Sequence, residues 1–289
     1  MSPLDWVNTR RTFEGYKLFW KGTDWDIDAF WTNPVGIEPT SLDSPNQDQE
    51  FMGIYSTYKG SESETIGFYY LRLINSRGTN DFQFDTLGTR WQGSHCDWLW
   101  EVEGAVQFGD NTAGSDHSAG FYTLGLGRKL PCCTWSPTLL VYCDWASGDD
   151  TQFNGYDHLF SLAHKYNGFM DLFGRRNLED TNVLLTLQPN PKTRLLMWYH
   201  LFYLQDGNDI PYSVAMGPSP VNAAPITPGG SPYLGQELDL LASYNLTAQM
   251  NLLFGYFHFW SGSWFTTNPT PPPFAGDADF FYTQLAVNF

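Results

Sequence analysis

Charge is scarce in this sequence of 289 residues: Asp, Glu, Lys and Arg make up only 16%, well below the roughly 25% of an ordinary soluble domain. Basic residues are the scarcer half. Fifteen Lys and Arg stand against 31 Asp and Glu, a net charge of −16, which excludes the basic footprint a nucleic-acid binder needs. Long apolar runs are missing too. The longest, 195–204 with His200 inside it, is about half of the ~20 residues of a membrane-spanning helix. The four cysteines, Cys96, Cys132, Cys133 and Cys143, have no CxxC spacing, so neither a zinc site nor a redox motif is indicated, and the spacing alone decides no disulfide. The first residues, Met-Ser-Pro-Leu-Asp-Trp, carry neither the basic nor the apolar region of a signal peptide. Read alone they suggest a cytosolic protein, and an N-terminally incomplete chain would look the same. What the sequence has in abundance is aromatic surface: 12 Trp, 16 Tyr and 22 Phe. Such a chain has too much apolar area to stay disordered, and too little Lys and Glu for exposed helices.

Apolar and polar residues alternate with period two in thirteen segments, at 12–22, 25–35, 50–60, 64–76, 84–93, 98–110, 117–130, 136–148, 179–189, 193–206, 233–246, 248–262 and 277–289. Each reads as a strand bounded by Gly, Pro, Asn or Asp. They exceed the usual soluble strand of about five or six residues and match the ~9–11 tilted residues that cross a bilayer. No helix competes, a turn within 157–174 excepted. Short connections follow at 22–23, 60–63, 94–97, 190–192 and 247, and long polar or Pro-rich ones at 36–49, 150–178, 207–232 and 263–276. Short periplasmic turns and long exterior loops are the pattern of an outer-membrane barrel.

Two hairpins can be written out. A two-residue turn at Gly22-Thr23 sets Tyr16, Leu18 and Trp20 opposite Ala29, Ile27 and Trp25, with Lys17 facing Asp28 on the other side. A second hairpin sets Trp91, Thr89 and Leu87 against Trp100, Val102 and Gly104, with Arg90 facing Glu101. One face is apolar, with Trp at its ends, and the other charged. That division suits a lipid-embedded wall around a wet lumen. A soluble sandwich alternates as well, with its charged face outermost. Segment 248–262 is apolar on both faces and has no evident orientation. The last segment puts Phe281, Thr283, Leu285, Val287 and Phe289 on one face, and an amphipathic strand ending in an aromatic residue resembles the insertion signal of bacterial outer-membrane proteins.

In order along the chain, several segments resemble the alginate-export (AlgE-like) outer-membrane proteins: Arg11-Thr-Phe-Glu-Gly15, Leu87-Gly-Thr-Arg90, Asp144-Trp-Ala-Ser-Gly-Asp149, Phe153-Asn154, His164-Lys-Tyr-Asn-Gly-Phe-Met-Asp171, Gly174-Arg-Arg-Asn177, Leu234-Gly-Gln-Glu-Leu-Asp239, Gly255-Tyr-Phe-His-Phe with Gly262, Asp277-Ala-Asp-Phe-Phe-Tyr282 and Phe289. The likeness runs through almost the whole chain and is most specific from about residue 144. It implies an all-β, antiparallel transmembrane β-barrel as one domain over 1–289, in the bacterial outer membrane. It also implies transport of an anionic, alginate-like polysaccharide outward, not catalysis, and no cofactor. The partners implied are outer-membrane lipid, the polymer or small solutes, and periplasmic export machinery. The family's type member has eighteen strands. Thirteen put residue 1 at the exterior end, so the resemblance implies a C-terminal part of such a barrel, lacking five strands and the signal peptide.

The candidate pathway follows from the inward faces. Lys17, Arg72, Arg90 and Arg194 are the inward bases, with His200 near by, and Glu101, Glu237 and Asp239 are among the inward acids. Fixed guanidinium groups attract carboxylates and bind them in bidentate fashion; the alternative is that each base is merely neutralised by a wall carboxylate, Asp28 for Lys17 and Glu101 for Arg90. Loops as long as 150–178 are usually functional. Its His164, Tyr166, Asp171, Arg175 and Arg176 are expected in or over the pore, the alternative being an exterior decoration. Other functions stay open at this point: a general diffusion porin for small solutes, an outer-membrane hydrolase using His117-Ser118 or His200, and a soluble β-sandwich lectin with Trp and Tyr platforms.

Overall fold

In the computed structural model, the described residues are 10–288 apart from 77, 79–80, 152–153, 220–222, 227–229 and 268–275. Phe289 therefore lies outside the described residues. Fourteen strands form one antiparallel sheet: β1 (Phe13–Lys21), β2 (Trp25–Gly36), β3 (Ser44–Pro45), β4 (Gln49–Tyr58), β5 (Glu64–Asn75), β6 (Phe82–His95), β7 (Trp98–Asp110), β8 (Asp116–Lys129), β9 (Thr138–Ala146), β10 (Leu178–Asn190), β11 (Thr193–Leu204), β12 (Tyr233–Asn245), β13 (Met250–Ser261) and β14 (Ala278–Val287). Thirteen of them are the long alternating segments, each paired with its neighbours in chain order; the two-residue β3 pairs with β2 alone. Among the described residues, helix is confined to one 3-10 turn, Ala163–Lys165, and the single-turn α1, Trp264–Thr267. No helix is long and apolar enough to cross a membrane. Among the described residues the sheet is not closed: β1 pairs only with β2 and β14 only with β13.

The four long connections, at 37–48, 147–177, 205–232 and 262–277, lie at one end of the sheet together with the shorter 76–81 and 111–115, and the other end carries turns of two to eight residues. The outward face is mostly apolar, with Leu18, Ile54, Leu87, Val106, Leu124, Val141, Phe254 and Leu285 all exposed. Trp20, Trp25, Trp91 and Trp98 cluster on that face near the short turns, the height at which aromatic girdles meet a membrane interface.

Both written-out hairpins have the right faces and the wrong register. In the first, Leu18 pairs with Ala29 and Trp20 with Ile27, because four residues turn the chain, closed by the Gly22 N–H donating to the Trp25 carbonyl at 2.8 Å. In the second, Cys96 and Asp97 both adopt positive φ, 47° and 68°. That is the two-residue mirror-image turn suited to strand twist. It pairs Arg90 with Glu103 and Trp91 with Val102. A slip of two leaves every side chain on its face, since strand periodicity is two.

The buried core lies inside the curve of the sheet, and the 147–177 loop supplies much of it. Phe173 packs with Phe202, Leu234 and Phe259, Tyr156 with Tyr69, Ala105 and Phe121, and Leu159 and Phe160 against Phe51, Leu73 and Phe84. Burying each large aromatic or aliphatic group contributes about 1.5–3 kcal/mol. The two apolar faces of β13 are thereby explained. Phe254 points outward, while Phe257 and Phe259 point inward, where Phe169 stacks on Phe257 at 5.4 Å and Phe173 meets Phe259 at 5.9 Å.

Candidate functional site

The 147–177 loop enters the lumen and crosses it. At its start, the Gly148 N–H donates to Gln205 Oε1 and the Asp149 N–H to Asp209 Oδ2. Asp157 is then fixed to the wall by Gln107, which donates to its carbonyl and accepts its N–H, at 2.8 and 2.9 Å. Next, Phe160 reaches Phe13 and Phe51, at 5.0 and 4.9 Å between rings, and Arg11 donates to the Ser161 carbonyl. The loop returns to β12, where the N–H groups of Phe169 and Met170 donate to Asp239 and Glu237. Finally, the Arg175 guanidinium bonds Asp144 at 3.0 Å and lies over the rings of Phe121 and Tyr166.

Two cavities, of about 430 and 620 Å³, flank the loop where it crosses. Arg90, Leu162, Lys165 and Tyr166 border both. Their charge balance is the opposite of the whole chain's. Arg90, Lys165 and Arg194 face Glu101 and Asp144 in the first. Lys17, Arg90, Lys165 and Arg175 face Asp28 and Glu103 in the second. Several of these charges are paired: Lys17 with Asp28 at 2.8 Å, and Arg90 with Glu101 at 2.5 Å, its Nε 3.8 Å from Glu103. Among the described residues, Lys165 and Arg194 have no ion-pair partner; Lys165 sits 5.4 Å above the Tyr166 ring. Tyr142, Phe169 and Trp198 add aromatic surface to the first cavity.

The loop histidines add no charge near neutral pH. Burial pushes His158 down to about 4, with Arg175 and Arg11 adding to the effect, and burial also lowers His164 to about 4. Burial keeps the His158 ring neutral against the opposing pull of the Val214 carbonyl. Its Nδ1 accepts from the Arg175 N–H at 3.3 Å, and its Nε2 lies 3.0 Å from the Val214 carbonyl.

Of the residues marked out in the sequence, Lys17, Arg90, Arg194, Glu101, His164, Tyr166 and Arg175 border a cavity. Arg72 does not. Alternation along β5 turns Leu71 and Leu73 inward and Arg72 outward, where it lies 3.5 Å from Asp85 and donates to Gln83. His200, Glu237 and Asp239 do face inward, but the loop seals them completely and they border neither cavity. Asp171 lies 3.8 Å from His164, and Arg176 lies over the Tyr212 ring at 4.4 Å; neither borders a cavity. Glu103, an inward acid by strand parity alongside Asp26 and Asp28, borders the second cavity. Among the charged lining residues, Lys165 and Asp144 are absent from that set; Asp144 is open to detection, since it sits on the inward parity of its strand. Lys165 lies in an aperiodic loop and had no such signal.

No serine–histidine pair supports hydrolysis at the places considered. His117 and Ser118 are strand neighbours on opposite faces, the first buried and the second exposed. His200 places Nδ1 2.8 Å from Asp180 Oδ2 and packs on Trp198 and Phe202. Among the described residues, no three metal-binding side chains are placed to hold an ion.

The chain matches the alginate export family over residues 1–270. Its fold is similar to that of OccK11 (OpdR) of Pseudomonas aeruginosa, with a TM-score of 0.59 and 11% identity, covering 98% of this chain and 72% of that one. No curated protein is significantly similar in sequence. With an apolar outer face, a charged inner one and a family match over nearly its whole length, the chain belongs to the alginate-export family of outer-membrane channels.

Proposed function

We propose that this channel passes anionic saccharides, with an alginate-like polyuronate as the substrate the family suggests. The observation that carries the reading is the charge inversion: a chain of net charge −16 lines both lumen cavities with more cations than carboxylates. A narrow, low-dielectric lumen focuses that excess on a passing ion. Arginine offers a carboxylate a planar pair of donors, while Tyr142, Tyr166 and Trp198 offer rings to the apolar faces of a sugar. Conductance in planar bilayers under a salt gradient tests this directly. Anion-selective reversal potentials, with current block by short oligouronates, are expected; a cation-selective or unselective channel overturns the reading.

The loop favours a second reading, a diffusion porin for small solutes. The span 159–171 separates the lumen into two cavities, each within the about 300–1,000 Å³ of ordinary small-molecule sites. Oligouronate block that rises steadily with chain length supports the polymer reading. Block that stops beyond one or two rings supports the porin.

A further inference from the structure

The crossing span 159–171 is moored at its far end in an unusual way. Two consecutive backbone N–H groups donate to two carboxylates of one strand: Phe169 to Asp239 Oδ2 at 3.1 Å and Met170 to Glu237 Oε1 at 2.9 Å. Both carboxyl groups are wholly buried, so the loop's N–H groups are bonded where no water competes for the same oxygens. The residue before them is Gly168, at φ +89°, and a Cβ there would stand 2.6 Å from Glu237 Oε1 and 2.8 Å from its Cδ. Glycine alone therefore fits both the left-handed conformation and the approach.

The mooring is supported from behind. His200 Nδ1 lies 2.8 Å from Asp180 Oδ2, with Nε2 3.9 Å from Asp239. Asn182 donates to Asp180 and accepts from the Trp198 indole. Three neighbouring strands, β10 to β12, thus hold the acceptors in place. Phe169, seated on Phe257, closes the contact. Nothing in this assembly touches either cavity except the Phe169 and Trp198 rings.

We propose that Glu237 and Asp239 are positioning residues that set the channel's size limit. While the loop is moored across the lumen, passage is limited to solutes of one or a few sugar rings; a polyuronate passes only with the mooring released, when the two cavities join into one lumen. The proposal rests on the channel reading but not on its charge selectivity.

The test uses the full chain, purified and reconstituted in liposomes. Neutral saccharides graded from mono- to hexasaccharide serve as probes, because their flux reports width alone. In E237A/D239A the size limit should rise to include saccharides the wild type excludes. Single-channel conductance should rise as well, because the released loop no longer obstructs the lumen. G168A should act in the same direction. E237Q keeps an acceptor oxygen for the Met170 N–H and should stay near wild type, well apart from E237A. An unchanged size limit in G168A and E237A overturns the proposal, even if the double variant fails to fold. Loss of anion selectivity with normal sieving instead overturns only the functional reading.

Discussion

Arg90 borders both cavities and is held between Glu101 and Glu103, so its removal is the sharpest perturbation of the lumen field. In Arg90→Ala the first cavity falls from three cations against two carboxylates to two against two, and the second from four against two to three against two. A unit charge about 6 Å from the ion path contributes about 0.7 kcal/mol in water. Screening at 0.1 M salt, with a Debye length of about 10 Å, leaves roughly 0.4 kcal/mol. That is about twofold in local ion concentration, and since cations gain what anions lose, the anion-to-cation permeability ratio should fall about fourfold. Glu101→Ala should raise the ratio by a similar factor. Arg90→Lys, which keeps the charge and loses only the fork, should leave it close to wild type. Stability should change by no more than about 1 kcal/mol, because both partners of the pair remain partly solvated. Reversal potentials under a tenfold gradient at low salt decide the matter, and the shift should vanish near 1 M, where the Debye length is about 3 Å. If Arg90→Ala and Glu101→Ala both match wild type at low salt, Arg90 serves only to neutralise its wall partners.

Lys165 and Arg194 have no carboxylate to strand, so Lys165→Met and Arg194→Met should each lower anion selectivity without a folding cost, Lys165→Met more, since Lys165 alone of the two borders both cavities. Acid should loosen the loop at its histidines: His158 and His164 are depressed to about 4 when seated, so below about pH 6.5 a released loop binds protons that the seated one refuses, while Asp157, whose carboxyl burial raises, opposes this by holding a proton when seated. The histidines weaken seating by up to about 1.4 kcal/mol per pH unit each until about pH 4; acid should therefore raise single-channel current less in His158→Gln than in wild type, and an equal response would contradict it. Leu42 is 91% exposed in the long connection after β2, and Leu42→Cys should be labelled on intact cells by a membrane-impermeant thiol reagent while Thr23→Cys is not; the reverse pattern would invert the topology.

Thirteen of the fourteen strands are legible in the sequence, each to within two residues at either end, because each separates lipid from lumen and so alternates along most of its length. Register is less legible. Cys96 and Asp97 turn the second hairpin through positive φ with neither Gly nor Asn to mark the place, and the first closes through four residues rather than two. Arg90 nevertheless meets Glu101, because its side chain spans the diagonal across the register slip. Arg72 was misplaced for a different reason. Its strand carries polar groups on the outward face near the long-loop end, where Tyr70 and Arg72 meet Asp85 and Gln83 meets Asp110. Charge alone is therefore no guide to facing.

The candidate site was hidden because it depends on the path of one loop. Strand parity places Arg90, Glu101, Arg194, Glu237 and Asp239 on the same inner surface, and read that way the lumen has nearly balanced charge. The loop breaks the balance. It covers Asp180, His200, Glu237 and Asp239 completely, and it spends two of those carboxylates on its own backbone N–H groups. It also carries Lys165 to the boundary between the cavities and Arg175 to the buried Asp144. Further acids, Asp85 and Asp279 among them, are bonded on the outward face. Acidic residues outnumber basic ones two to one in the chain, yet they are withdrawn from the lumen by the same fold that leaves the cations facing it. A net charge of −16 therefore describes how the protein meets its surroundings as a whole, whereas the ion in the pore meets only the few side chains the loop leaves uncovered.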